Sequence, residues 1–287
     1  MSCYIQLRAT TWRKIPEAGY ATMEQLKDVR ALRRGLAVLD LLSGSGPAGL
    51  SDIARATGLA KSTTRRILAT LEDTGHIRRN LADSLYRSNI GGGGPATANT
   101  SKAAGAIVRA ARPVLERLSQ EVVWPSDLFI RDGTELQIVE TTRPLSPLLV
   151  NRNEIGDRVD MLTTAVGRVY LAFCPDGERE ELLAVIGKAH APASQNELLE
   201  TIDHIRKTGF AVRDPRCTGA TYRNPFIVDR LYAVAVPVMD RDKVACCINL
   251  LWPVAAASSV GDERLMAKLL QERAAEISAN LSAAARS

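Results

Sequence analysis

The sequence predicts an α+β chain in two unequal parts, and three observations predict it. Residues Gly49 to Arg87 hold two short helical patterns parted by Gly58, followed by an alternating stretch able to fold back on itself. Residues Gly91 to Asn99 read Gly-Gly-Gly-Gly-Pro-Ala-Thr-Ala-Asn, a composition that favours a flexible linker over a helix. Beyond it, apolar runs of strand length are mixed with helical patterns up to the C-terminus. At 287 residues the chain is long enough for two domains with separate cores.

In order, a first helix is predicted from Arg30 to Leu42, with Leu32, Leu36, Leu39 and Leu42 facing a small core. A second starts at Leu50-Ser51-Asp52-Ile53-Ala54, with Ser51 as N-cap, and ends at Gly58. A third spans about Ala60 to Thr74, turns Ile67, Leu68 and Leu71 inward, and is stopped by Gly75. His76 to Ile90 then forms a two-stranded wing turned near Ala82-Asp83-Ser84. Residues 28–90 therefore read as a winged helix-turn-helix.

The residues left outside that core suit nucleic acid. The third helix opens Lys61-Ser62-Thr63-Thr64-Arg65-Arg66, a cationic, hydroxyl-rich face of the kind that enters a major groove. Arginine can fork onto guanine, whereas lysine and hydroxyl groups mostly serve phosphates. Candidate DNA contacts are Ser51, Lys61, Ser62, Thr63, Arg65 and Arg66, with Arg78, Arg79 and Arg87 on the wing for flanking backbone. Charge follows the same division: residues 28–90 carry +4 and residues 1–27 carry +2, leaving about −1 for the remainder of a chain whose total is +5.

Residues 1–27 are read as a disordered tail or a mis-assigned start: the first 22 are poorly patterned and lack the pattern of a secretory signal, and Met23 stands just ahead of the first patterned segment. No run has the length of a transmembrane helix. The five cysteines (Cys3, Cys174, Cys217, Cys246, Cys247) show neither metal spacing nor a disulfide framework, which suggests a reducing, cytoplasmic setting. No metal or cofactor is called for. The linker matches G-x-G-x-x-A by accident, since no βαβ unit follows it.

Residues 91–112 are read as the Gly-rich linker and a linker helix bearing Ala103, Ile107, Val108 and Ala111; Pro113 breaks that helix or opens a second one reaching Val122. The second domain is residues 113–287. Strands are predicted at Asp127–Arg131, Glu135–Thr142, Arg158–Met161, Leu231–Met239 and Val244–Trp252. Helices are predicted at about Thr164–Phe173, Glu178–Ile186 and Glu197–Thr208, and from Asp262 onward. This order fits a sheet with helices packed on it and a pocket at one end.

Several segments resemble the IclR family of bacterial transcriptional regulators: Leu59-Ala60-Lys61-Ser62-Thr63-Thr64-Arg65-Arg66-Ile67-Leu68, Ile155-Gly156-Asp157-Arg158-Val159, Thr163 to Ala172, and Ala235-Val236-Pro237-Val238. Two more, Glu121 to Asp127 and Leu171 to Pro175, resemble members that govern aromatic-acid catabolism. The resemblance implies a GAF-like effector-binding domain, a homodimer or dimer of dimers, a double-stranded DNA operator and a small organic acid as effector, with RNA polymerase a further partner of an activator. It also implies a pocket lined by Met161, Leu162, Ala165, Val166, Gly167, Arg213, Ala233, Asn249 and Leu251. Trp124 could stack on an aromatic ring, although core packing is the commoner role; Asn249 could meet a ligand or a structural hydrogen-bond partner, and Arg213 a carboxylate or solvent. Ala165 to Gly167 sit at a helix N-terminus, where N–H groups favour a carboxylate. Two departures stand out: the glycine run replaces the start of the helical linker, and Asp214 to Arg230 is long enough to flank or cover the pocket.

Two other classes remain open at this point. An effector-independent architectural DNA binder would explain the basic end but not the second domain. An enzyme acting on a small organic acid would need chemistry that the sequence does not display: it has no G-x-S-x-G, H-E-x-x-H or P-loop, and His76, His190 and His204 have no evident nucleophile or metal partner.

Overall fold

In a computed structural model, residues 29–89, 95–147, 155–189, 195–217, 230–256 and 262–284 are described. The expectations for residues 1–27, for Gly91 to Gly94 and for most of the Asp214 to Arg230 stretch lie outside them.

The N-terminal part has helices α1 (Arg30–Gly44), α2 (Leu50–Thr57) and α3 (Lys61–Asp73) and a hairpin of β1 (Ile77–Arg79) and β2 (Tyr86–Ser88). Gly58 makes the corner between α2 and α3 with φ of 66°, a left-handed turn that costs a glycine nothing. Val38, Leu39, Leu42, Ile53, Leu68, Ile77 and Tyr86 form its core. Leu32 and Leu36, expected in that core, are 60% and 50% exposed: the stripe of α1 that meets α2, α3 and β2 begins only at Val38. Ser51 is not the N-cap either. Gly49 occupies that position, and Ser51 lies exposed in the first turn of α2.

A single helix, α4 (Pro95–Glu121), leads into the second part, so the expected non-helical stretch is corrected from Pro95 to Asn99, and Pro113 neither breaks the helix nor opens a second one. Proline at a helix start has no N–H to lose, which lets Pro95 open α4. Pro113 is carried through because Ala104, Val108, Ala111, Val114, Leu115 and Leu118 on this helix are buried, and that burial outweighs one absent hydrogen bond.

The second part is an antiparallel sheet of β3 (Asp127–Asp132), β4 (Glu135–Thr141), β5 (Arg158–Val159), β6 (Ala211–Val212), β7 (Leu231–Asp240) and β8 (Lys243–Pro253), in the order β5-β4-β3-β8-β7-β6. Strand alternation gives the sheet two apolar faces. From β8, Cys246, Ile248, Leu250 and Trp252 turn to α4 and the C-terminal helix (Glu263–Ala284). Cys247 and Leu251 turn the other way, toward α5 (Ala165–Phe173), α6 (Asp176–Ala189) and α7 (Gln195–Thr208). Strand β6 was missed by sequence reading because two residues carry no period. The buried Cys246 and Cys247 are small core side chains, and burial pushes both thiols up.

Candidate nucleic-acid interface and ligand pocket

Helix α3 is held from behind. Leu68 and Thr64 are fully buried, and the Thr64 hydroxyl donates to the Ala60 carbonyl at 3.1 Å, which anchors the first turn. That fixes Lys61, Ser62, Arg65 and Arg66 on the exposed side, with Thr63 at its border. No side chain of the cap residue accepts from the start of α3, so its first N–H groups lack a capping partner.

The wing arginines are placed differently from one another. Arg79 lies along the hairpin, its Nε donating to the Ser84 carbonyl at 3.1 Å and its guanidinium 5.6 Å from the Tyr86 ring centre. Arg87 is turned onto the wing itself, donating to both Asp83 carboxylate oxygens (3.0 and 2.6 Å) and to Asn80 Oδ1. Arg78 points inward and donates to Asn89 Oδ1 at 2.7 Å; burial pushes its guanidinium down to about 10. In this arrangement Arg78 and Arg87 brace the hairpin, whereas the expectation had both reaching for DNA. Sequence reading could not separate them, since all three arginines share one local composition.

The hairpin also rests on the second domain. Glu140 of β4, fully buried, accepts from the backbone N–H of Leu81 (2.8 Å) and Ala82 (3.4 Å) and from Asn80 Nδ2 (3.2 Å). On the other side Arg112 of α4 donates to the Arg79 carbonyl and to Glu72 of α3.

A cavity of about 30 Å³, open at its mouth, lies on the α5 side of the sheet. Of the expected lining, Ala165, Val166, Arg213, Ala233, Asn249 and Leu251 are there. Thr164 caps α5, accepting the Gly167 N–H at 3.1 Å, while the N–H groups of Ala165 and Val166 have no acceptor within the helix. Arg213 Nη1 donates to the Leu231 carbonyl at 2.9 Å.

Met161, Leu162 and Gly167 are not in the lining. Met161 is core, and Gly167 is where α5 crosses the chain: a Cβ there would sit 2.3 Å from Met161 Cα and 2.5 Å from the Asp160 carbonyl oxygen. Trp124 belongs to the opposite face, its ring centre 6.3 Å from that of Trp252 in the α4 core. It is placed there because residue 124 enters the sheet beside Trp252, whose side chain alternates away from the pocket.

Sequence reading missed the polar centre of this pocket. Asp127, fully buried at the start of β3, is clamped by Arg143 through Nε (2.9 Å) and Nη2 (2.7 Å). The Thr141 hydroxyl donates to Asp127 Oδ1 at 2.6 Å, and the Asp127 N–H donates to Asn249 Oδ1 at 2.7 Å. Phe129, Val159, Thr164 and Leu231 complete the wall. One signal was available: an aspartate opening the apolar run Leu128-Phe129-Ile130 must find a partner once buried. Two arginines against one aspartate leave the lining net positive.

A helix-turn-helix with an exposed cationic helix, braced against a sheet domain that holds its own pocket, defines a DNA-binding transcriptional regulator. The IclR helix-turn-helix domain matches residues 31–81, and the bacterial transcriptional regulator IclR C-terminal domain matches residues 102–279. The chain belongs to the IclR family of bacterial transcriptional regulators.

It is 26% identical over 271 residues to the DNA-binding transcriptional repressor YiaJ of Escherichia coli, covering 88% of each chain. It is 28% identical over 220 residues to the probable transcriptional regulator SauR of Cupriavidus necator, covering 76% of this chain and 82% of that one. Among solved structures the IclR of Thermotoga maritima shares the fold, with a TM-score of 0.51 at 21% identity over 88% of this chain and 99% of that chain.

Proposed function

We propose that the protein is a ligand-responsive, sequence-specific regulator of a catabolic operon whose signal is a small carboxylic acid, aromatic by preference. The observation that carries this reading is the pocket lining. Arg143 and Arg213, the N–H groups that open α5 and the amide of Asn249 supply donors on one side. Phe129, Val159, Leu231 and Leu251 supply an apolar wall for a ring on the other. A net positive lining selects an anion over its neutral amide. Within the family, Glu121 to Asp127 and Leu171 to Pro175 resemble the activator of 3-hydroxyphenylpropionate catabolism, which makes that acid the first to try.

On DNA, two copies of the chain would set their α3 helices in major grooves about 34 Å or a multiple apart, so the operator is a pseudo-palindrome. Effector action then requires different affinities for two states of the dimer. The test is a thermal-shift panel of aromatic and aliphatic carboxylic acids, 3-hydroxyphenylpropionate among them, each beside its amide. A rise in Tm with an acid and none with its amide supports a sensor. No rise with any acid, or equal rises with the amides, removes the carboxylate reading.

A further inference from the structure

The end of strand β4 faces two ways. Successive strand residues point to opposite sides, and here the two sides belong to different domains. Thr141 turns to the pocket, where its hydroxyl donates to Asp127 Oδ1 at 2.6 Å and accepts the Arg143 N–H at 3.2 Å. Glu140 turns to the wing, where its carboxylate takes the N–H groups of Leu81 and Ala82 and one hydrogen of the Asn80 amide.

Between β3 and β4 the register slips: Leu128 faces Glu140 and Phe129 faces Ile138, leaving Val139 bulged. The Val139 carbonyl accepts from Asn80 Nδ2 at 2.8 Å, so the bulge gives the wing a second hold. Asn80 is fully buried by this contact, and its Oδ1 accepts from Arg87, which is paired with Asp83 at the wing turn. Each step from the pocket to the tip of the wing is therefore one hydrogen bond or one residue of backbone.

We propose that Glu140 is the positioning residue through which the Asp127–Arg143 pair of the pocket sets the seat of the wing. This rests on the reading of that cavity as a ligand site. An anion reaching Arg143 competes with Asp127 for the guanidinium, and Asp127 holds Thr141. A shift of residues 140–141 carries the wing, because the groups that bind it hang on that backbone. The coupling lies in a contiguous network with a bulge, a point where a sheet gives way most readily. The glycine run before α4 does not interrupt this route, which crosses directly from β4 to the hairpin.

The test needs no ligand. Amide hydrogen exchange is followed by mass spectrometry on the full chain for the wild type, E140A, E140Q and T141V. In E140A, peptides covering residues 80–85 exchange at least about tenfold faster, because a charged acceptor of two backbone N–H groups is gone. E140Q keeps one carbonyl oxygen and recovers part of the protection. T141V alters only the pocket side, yet it speeds the same wing peptides by about threefold or more while peptides of β7 stay within about twofold of wild type.

Wing exchange in T141V equal to wild type overturns the coupling, and wild-type exchange in E140A overturns the seat itself. Should E140A fail to fold, E140Q and T141V still decide. Failure of the ligand reading would appear instead in the acid panel, with these exchange rates untouched.

Discussion

Arg78 holds the wing together from within, donating to Asn89, whose amide in turn donates to the Gly75 carbonyl at 3.1 Å. Glu140 faces it from the other domain and supports its charge. Burial raises the Glu140 carboxyl above its ordinary 4.5, against the N–H groups of Leu81, Thr141 and Ala82, which favour the ionised form. A carboxyl raised by folding stays protonated in the native state after the unfolded chain has ionised. Stability therefore falls as pH rises from about 4.5 to the raised value and is level above it. Glutamine at this position does not titrate. The stability of the wild type minus that of E140Q should thus decline with rising pH in urea denaturations run between about pH 4 and 7; a difference flat across that range would count against a buried, titrating carboxyl. Gly167 makes a separate prediction. The atoms a Cβ would strike, Met161 Cα and the Asp160 carbonyl oxygen, are backbone and cannot swing aside. Gly167→Ala should cost about 2 kcal/mol or more in the same denaturation measurement by forcing α5 off the sheet, and an unchanged midpoint would contradict the close approach.

Helix α3 and the wing should answer differently when their cations are removed. Lys61 and Arg66 are exposed on the first turns of α3, so Lys61→Ala and Arg66→Ala are expected to weaken DNA binding. Removing a cation that neutralises one phosphate should also make the slope of log affinity against log salt shallower by about 1. Arg78→Ala should leave that slope nearly unchanged and lower the Tm instead, because it removes a brace and not an outward charge. Fluorescence anisotropy on one duplex at several salt concentrations separates the outcomes, and wild-type affinity in both α3 variants would refute the reading face. These elements also show what the sequence could and could not convey. Helices α2, α3 and α5 were legible because their apolar residues recur with the helical period and their ends carry Gly58, Gly75 or a threonine cap. Helix α4 was misread because Pro95 and Pro113 speak locally against a helix, whereas the burial that stabilises it comes from partners far along the chain. Of the pocket's apolar lining, only Ala165, Val166, Ala233 and Leu251 followed from the family resemblance. Its Asp127–Arg143 clamp did not, since it joins a strand start to a short turn 16 residues away and no local period marks such a pair. The same distance hid Glu140, which reads as one more polar residue of an alternating strand until the wing is folded over it.

At the scale of the whole molecule, the DNA-binding part is small and borrows stability from the domain it serves. Its core rests on seven buried apolar side chains, two of them in the hairpin, and a domain of this size is marginal alone. What it gains on docking is specific. Asn80 is fully buried, Leu81 packs on the α4 core, the Leu81 and Ala82 N–H groups reach a carboxylate, and Arg112 ties α4 to the Arg79 carbonyl. In a fragment ending at residue 94 all of these groups return to water, leaving the helix-turn-helix core intact. Hydrogen bonds to charged groups contribute about 1.5–3 kcal/mol each, so two of them alone account for about 3 kcal/mol or more. For a domain of this size about 1 kcal/mol moves Tm by about 4–8 °C. The fragment should therefore melt about 12 °C or more below the same residues in the full chain, followed through the exchange of the α3 and hairpin amides on heating. Restoring contact is not possible in the fragment, but N80A in the full chain removes two of the inter-domain hydrogen bonds and should move the hairpin part of the way toward the fragment's behaviour. Equal melting of fragment and full chain would mean that the second domain lends the wing nothing, and a regulator built that way could pass a signal only by moving α4 as a rigid rod.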